Sequence, residues 1–524
     1  MASNVTEANG LSQADVIAFL ENPAGYEPEP QAIDRIDTHG AVVFLVGDYA
    51  YKMKRAVRLP YLDFSTLDRR LKACNREFEL NSRIAPELYL RVSPIFRQLD
   101  GKLSWQGGGE IVEYVLIMRR FEQSQLLDEM AVAGKLREEL MIPLAHHIVN
   151  AHGSAPVHKE VDPVKGFETI LEHVTAAFTR DISPIPAEEA AAYNVAASAA
   201  LRKAAPLMRD RSRHGFVRRC HGDMHLRNIV LLESGPTLFD ALEFDETLAT
   251  IDVLYGLAFL LMDLYRRGMR HHACQLFNQY LQDQSGIRHL EGLALLPFFL
   301  SCRAAIRAMV ALDRKANVSA DQARTIDDDV RQYFELSQRF LTPPAARLIA
   351  VGGLSGTGKT TVARMLAPGI EPVPGALHLR SDVERKLMYE WDPQEPLPQS
   401  AYVEKVTAHV YQRLGDKAEC ALAAGHSVIV DAVFAMESER EDIEERAQKA
   451  GAEFVGLWLT APANVLYARV SAREGDASDA DSRVVHQQLS YNLGTINWQR
   501  IDVDAGPEEV RMRAAAAIGL PRHN

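Results

Sequence analysis

Leu348-Ile349-Ala350-Val351-Gly352-Gly353-Leu354-Ser355-Gly356-Thr357-Gly358-Lys359-Thr360-Thr361 is the stretch that decides the fold of the C-terminal part of this 524-residue chain. Leu348–Val351 reads as a short buried strand, and Thr361–Leu366 as an apolar helix. Between them Gly353 to Thr360 matches G-x-x-x-x-G-K-[ST], in the strand–loop–helix context its chemistry requires. Gly353, Gly356 and Gly358 let the backbone wrap closely around phosphates with its N–H groups inward, and the helix N-terminus adds donors and dipole. Lys359 is expected to reach the β and γ phosphates and Thr360 to ligate Mg²⁺. Ser355, Thr357 and Thr361 complete the residues expected around the nucleotide.

Three clusters follow. Ser427–Asp431 reads as a buried strand ending in an acid, a position that points into the ligand crevice of a parallel sheet. Asp431 is therefore a candidate for the Mg²⁺ shell or for substrate contact, although a strand-end Asp also bonds turns. In Leu379-Arg380-Ser381-Asp382-Val383-Glu384-Arg385-Lys386, Asp382 opens a helix. It is either an N-cap or the base that takes a proton from an acceptor hydroxyl. Arg380 and Arg385 would suit an anionic acceptor. Val465–Arg473 reads as a helix with Arg469 and Arg473 one turn apart, followed by the loop 475–481. These arginines either close over the phosphates or form a solvated face.

Working outward, Leu341-Thr342-Pro343-Pro344 ends a charged helical stretch, Asp327–Phe340, because two prolines disfavour continuation. The expected organisation is an N-terminal helix (about Gln13–Leu20) and connector over 1–35, a first domain over 36–340, a linker at 341–346 and a second domain over 347–524. Lys plus Arg is 58 and Asp plus Glu is 70, a net charge of −12. Such acidity disfavours nonspecific DNA or membrane-surface binding, yet leaves room for a local basic pocket. Five cysteines without a CxxC pair argue against a disulfide framework or zinc site and for a reducing compartment. No basic start followed by an apolar core marks a signal peptide. The longest apolar runs, Val253–Met262 and Leu293–Leu300, fall short of the ~20 residues of a membrane span. A cytoplasmic protein is expected.

GLSGTGKTT, LRSDVERK, VIVDAVF and AREGDASDADSRVV together resemble the small P-loop kinases that include gluconate kinase, polynucleotide 5′-kinase and zeta-toxin-like proteins. The resemblance covers residues 347–505. It implies a five-stranded parallel sheet, an arginine-bearing lid and transfer of the ATP γ-phosphate to a hydroxyl.

The first domain carries Cys220-His221-Gly222-Asp223-Met224-His225-Leu226-Arg227-Asn228 before an apolar strand, Ile229–Leu232. An Asp followed five residues later by an Asn has the protein-kinase spacing. Asp223 would accept the acceptor hydroxyl's proton and Asn228 would ligate a metal bridging the phosphates. A second metal carboxylate is expected downstream: Asp240, with Glu243 and Asp245 as possible helpers. HGDxHxxN with this strand-borne acid resembles the aminoglycoside phosphotransferase-like kinases. That resemblance covers about 36–340 and implies a small β-rich lobe (about 36–120), a helical lobe (about 121–340), ATP and Mg²⁺. In its light Lys52, with Lys54 as alternative, is expected on the phosphates. Glu77, ahead of Glu79, is its partner. The strand Val112–Met118, ending at Met118, is the hinge for adenine. Asp37–Gly40 stands for the nucleotide loop. Gly256 departs from the family pattern, which has an acid there.

The expected fold class is an α+β bilobal protein-kinase-like (aminoglycoside phosphotransferase) domain followed by an α/β P-loop kinase domain with parallel sheet and lid. The pair resembles bacterial fusions of these two domains. It implies a two-site, ATP-dependent phosphotransferase acting on hydroxyl-bearing small molecules, with no stable DNA binding and no membrane. The alternatives are a P-loop half that acts on a polynucleotide 5′-end or nucleotide sugar, and a half that regulates the other. Cys220 is expected to pack and not to react.

Overall fold

The computed structural model describes residues 12–38, 40–59, 62–315, 318–392, 395–472 and 477–521. The chain forms two compact units, Met1–Val161 with Ser212–Leu257, and Asp162–Arg211 with Ala258–Asn524. Each unit is discontinuous in sequence.

In the first unit a six-stranded antiparallel sheet is built from Ile33–Asp37, Ala41–Val46, Tyr49–Lys54, Glu110–Arg119, Tyr89–Arg97 and Leu103–Ser104, in that spatial order. The hairpin of Ala41–Val46 and Tyr49–Lys54 turns at Gly47, whose φ of +54° suits glycine. Alternation explains the two faces. Val42, Phe44, Met53, Ile95 and Val115 are buried with Leu20 of the N-terminal helix Gln13–Leu20. The opposite face carries Lys52 and Lys54, turned towards the long helix Leu67–Ile84. Thr66 caps that helix by accepting from the Arg69 amide, and its buried positions Arg70, Cys74, Glu77 and Asn81 follow helical spacing. After the sheet, the short hairpin Ile229–Leu232 and Gly235–Leu238 follows the Cys220–Asn228 loop.

The second unit combines helices with a five-stranded parallel sheet. Its strands Leu377–Arg380, Val428–Asp431, Arg347–Gly352, Glu453–Thr460 and Gln499–Asp502 lie in that spatial order. Leu348 to Val351 and Val428 to Val430 are fully buried, as expected for parallel strands covered on both faces. Residues 341–346 join the helix Ala320–Leu341 to the central strand inside this unit. The helices Pro163–Phe178, Leu296–Lys315 and Ala320–Leu341 share an aromatic core, with Phe167 against Phe298 and Phe299, and Phe178 against Phe334. Ile287–Lys315 is long and apolar enough to cross a membrane by length and composition, and 67% of its most apolar window is buried.

Candidate functional sites

In the first unit a chain of alternating charge links a strand, a helix and a loop. Lys52 Nζ lies 2.7 Å from both Glu77 Oε1 and Asp240 Oδ1. Glu77 Oε2 lies 2.5 Å from Lys54 Nζ, which also pairs with Glu243. The order is therefore Asp240–Lys52–Glu77–Lys54–Glu243. Glu77 is fully buried and Lys54 nearly so, whereas the Asp240 carboxylate is 42% exposed. Lys52 is thus the lysine on the open side, and Lys54 is the inner brace. Burial opposes the Lys52 charge, but Asp240 and Glu77 outweigh it and raise its pKa well above the ordinary value. Burial likewise opposes the Asp240 carboxylate, and the two lysines hold its pKa below the ordinary value. Glu79 takes no part in this chain and pairs with Arg76 on the helix surface. Asp245 caps a short helix through the amides of Thr247 and Leu248.

The catalytic-type loop is braced from within. Asn228 Nδ2 donates to the Asp223 carbonyl at 2.9 Å and to its carboxylate at 3.0 Å. His225 Nε2 stands 3.4 Å from the same carboxylate. His221 is buried; its Nε2 donates to Phe239 O at 2.8 Å and its Nδ1 accepts from the Asp223 amide at 3.3 Å. Burial lowers its pKa to about 4, which keeps the ring neutral in this donor–acceptor arrangement. Asp240 holds a left-handed backbone, φ +59°, and its amide donates to the Tyr89 hydroxyl at 3.0 Å. Asn81, one turn after Glu77, accepts from the next amide, Ala241. Both ends of the Asp240 turn are therefore tied to the sheet lobe.

Met118 pairs with Ala50 on one side and Tyr89 on the other, and its side chain packs with Ala50, Leu116 and Val230. Asp37 pairs with Arg35 and Arg55, and His39 of the expected nucleotide loop lies outside the described residues. Beside Gly256 the His152 side chain fills the space, with Nε2 3.4 Å from where a Cβ would stand. Cys220 is buried with its thiol 3.6 Å from Ile251 O.

In the second unit Ser355 to Thr361, Asp382, Asp431 and Arg469 line one cavity of about 1750 Å³. The glycines of the loop have distinct reasons. A Cβ on Gly353 (φ +144°) would stand 2.7 Å from Leu459 O, and one on Gly356 (φ +86°) 2.8 Å from Leu466 O. The loop is pressed against the neighbouring strand and helix, so no larger residue keeps this path. Lys359 Nζ donates to Leu354 O at 3.3 Å, arching back over the loop. Thr360 Oγ1 donates to Asp431 Oδ2 at 2.5 Å. Burial raises the Asp431 pKa, but His378, Lys359 and Arg380 prevail and leave it at about 2. Asp382 runs the other way: burial dominates and raises its pKa, the shift expected of a carboxylate suited to proton transfer. It sits at the second position of Ser381–Met388, whose N-cap is Arg380, so it is not itself the cap. Arg469 is exposed and donates to Val503 O at 2.8 Å. Arg473 lies outside the described residues.

Several contacts escaped the sequence reading. His378 approaches Asp431 at 3.6 Å, and Arg380, expected from the sequence to suit an anionic acceptor, stands 3.9 Å from the same carboxylate. Their alternation with buried Leu377 and Leu379 was the available signal. Gln488 Oε1 accepts from the Ser355 amide at 2.7 Å, and Asp479 accepts from the Leu397 amide and pairs with Lys386. No spacing rule announces those contacts, because they join segments far apart in sequence.

Among the described residues no group of three or more His, Cys, Asp or Glu forms a metal cage. Each site instead offers two protein oxygen donors, Asn228 with Asp240 and Thr360 with Asp431. That donor set fits Mg²⁺, which keeps waters and phosphate oxygens in its shell.

Residues 348–492 match the family model described as an AAA domain. The chain is 29% identical over 496 residues to an uncharacterized protein of Mycobacterium tuberculosis, covering 91% of this chain and 93% of that one. Among solved structures it is similar to a sugar kinase from Janibacter sp. HTCC2649, at 23% identity and TM-score 0.27, over 33% of this chain and 95% of that one. It is also similar to a choline/ethanolamine kinase family protein from Mesorhizobium loti, at 13% identity and TM-score 0.39, over 62% of this chain and 98% of that one.

Proposed function

We propose that the protein is a two-site, ATP-dependent phosphotransferase that moves the γ-phosphate of ATP to hydroxyl groups of small-molecule acceptors. The observation that carries the reading is that each unit sets a lysine in the neighbourhood of a buried or half-buried carboxylate. Lys52 bridges Glu77 and Asp240, and Lys359 overarches the loop whose Thr360 bonds Asp431.

In the first unit Asp223 takes the acceptor's hydroxyl proton as the oxygen attacks the γ-phosphorus and ADP leaves. Asn228 and Asp240 would hold Mg²⁺, while Lys52 exchanges its Asp240 contact for the nucleotide phosphates. Glu77 keeps Lys52 aimed during that exchange. Backbone groups at the end of the strand that carries Met118 receive adenine. In the second unit the amides from Ser355 to Thr361 hold the phosphates, Thr360 and Asp431 would hold Mg²⁺, and Lys359 neutralises charge on the transferring group. Asp382 receives the acceptor proton, and its raised pKa suits that task. Arg469, which lines the same cavity, closes over the phosphates. Mg²⁺ held at each site would supply charge neutralisation for the transfer.

Equilibrium binding of a non-hydrolysable ATP analogue tests the reading. Two nucleotides per chain are expected, falling to one in Lys359→Ala. One nucleotide in the wild type, unaffected by Lys359→Ala, would refute it.

A further inference from the structure

The strand Leu377–Arg380 is the edge of the parallel sheet, and only one of its sides is paired. Leu377 donates its amide inward, to Ser427 O at 2.9 Å. The next amide, at His378, therefore points away from the sheet, where an edge strand ordinarily exposes unpaired groups. Here it donates to the side chain of Asn278 at 2.6 Å. The same side chain returns a hydrogen bond from Nδ2 to Ala376 O at 3.1 Å. One asparagine thus reproduces the donor–acceptor pair that a sixth strand would supply.

Asn278 belongs to the helix Arg270–Asp283, about seventy residues before the sheet begins, and this helix is built into the sheet's core. Cys274 is buried in one cluster with Ile349, Val351, Ile429 and Leu457. Asn278 Nδ2 also bonds Cys274 O at 3.0 Å, which fixes the amide's orientation on its helix. A Cβ on Gly375 would meet Cys274 Sγ at 2.9 Å, so the helix packs directly on the turn that leads into the edge strand. Phe277 packs on His426 at 5.0 Å between ring centroids, and His426 donates to Gly375 O at 2.9 Å.

The clamped strand carries the groups around the second site. His378 and Arg380 flank Asp431, and Asp382 follows two residues later. We infer that Asn278 is a positioning residue of the second phosphotransfer site. Its side chain locks the edge strand and so fixes His378 and Arg380 on Asp431 and sets the place of Asp382. The inference rests on the reading of that site given above. It also extends the site's working parts back to residue 270, beyond any boundary near 341.

Peptide-resolved hydrogen exchange on the full-length chain tests it. The variants are Asn278→Leu, and Asn278→Asp, which keeps an acceptor opposite the His378 amide. In Asn278→Leu, exchange over 376–382 is expected to rise about tenfold, the loss of one buried hydrogen-bond pair. The ATP concentration that protects 353–361 without Mg²⁺ is expected to stay at the wild-type value. The tightening that Mg²⁺ adds is expected to shrink about tenfold, as when a group supporting a metal ligand is lost. Asn278→Asp is expected to recover part of that tightening, and it carries the test if the leucine variant does not fold. Unchanged exchange over 376–382 would overturn the inference. So would Mg²⁺-free protection of 353–361 failing in step with the Mg²⁺ effect, because that pattern marks a merely structural role. If Lys359→Ala leaves ATP protection of 353–361 intact, the reading of the site itself fails. Exchange over 376–382 still decides the strand clamp in that case.

Discussion

The two candidate sites hold their lysines in opposite ways. Lys52 is enclosed by carboxylates from distant elements: Glu77 lies 25 residues away and Asp240 188. Lys359 arches over the backbone of its own loop and bonds the carbonyl of Leu354, five residues back. The first site's lysine is held by tertiary structure and the second's by a local turn. An assembled site stands or falls with the packing that assembles it. A local loop survives as long as its glycines can follow their path.

The largest expected effects separate the two chemistries. Asp223→Asn removes the proton acceptor of the first site and is expected to lower its turnover about 10²–10⁴-fold, leaving the second site's products intact. Lys359→Ala is expected to do the converse by about 10²–10³-fold. Assays of product formation on the two single variants and the double variant read both. Loss of both activities in either single variant would break the comparison.

A stability measurement sharpens the contrast. Glu77→Gln leaves two lysines, Lys54 almost wholly buried, without the charge between them. It is expected to cost about 3–5 kcal/mol in denaturant unfolding of the first unit. Gly356→Ala meets a left-handed backbone and the Leu466 carbonyl, and is expected to cost about 1–3 kcal/mol while weakening nucleotide binding at the second site alone. If Glu77→Gln proved the milder of the two, the assembled-versus-local distinction would fail.

A pH effect is shared by the two units. His221 in the first unit and His426 in the second are both buried with pKa values of about 4, below the ordinary 6.5. The unfolded chain therefore binds protons that the folded chain refuses between about pH 6.5 and 4. Stability is present above that window and is lost as pH falls through it, by up to about 3 kcal/mol for each histidine. Thermal melts across this range are expected to show the slope. His426→Asn should flatten it for the second unit only.

The same contrast explains what the sequence discloses. Val428–Asp431 and the loop Gly353–Thr360 were legible because hydrophobic runs and glycine spacing are local signals. The charged chain at Lys52 was legible only through a resemblance. Nothing local ranks Lys52 over Lys54, since both face the same side of one strand, and it is the burial of Lys54 against Glu77 that separates them. Asp240's anchoring by Tyr89, the Gln488 contact to the Ser355 amide and the Asn278 clamp depend on packing between segments that the chain separates widely. Asp382 shows the limit from the other side. Its position in sequence allowed a helix cap or a base, and only the helix start at Ser381, capped by Arg380, excludes the cap.

The central claim is that one chain holds two independent phosphotransfer sites. Transfer of labelled γ-phosphate from ATP to a metabolite extract, compared among wild type, Asp223→Asn and Lys359→Ala, tests it most directly. The account predicts two sets of labelled products, one lost in each variant. A wild-type product set left whole by Asp223→Asn, with all labelling removed by Lys359→Ala, would contradict it.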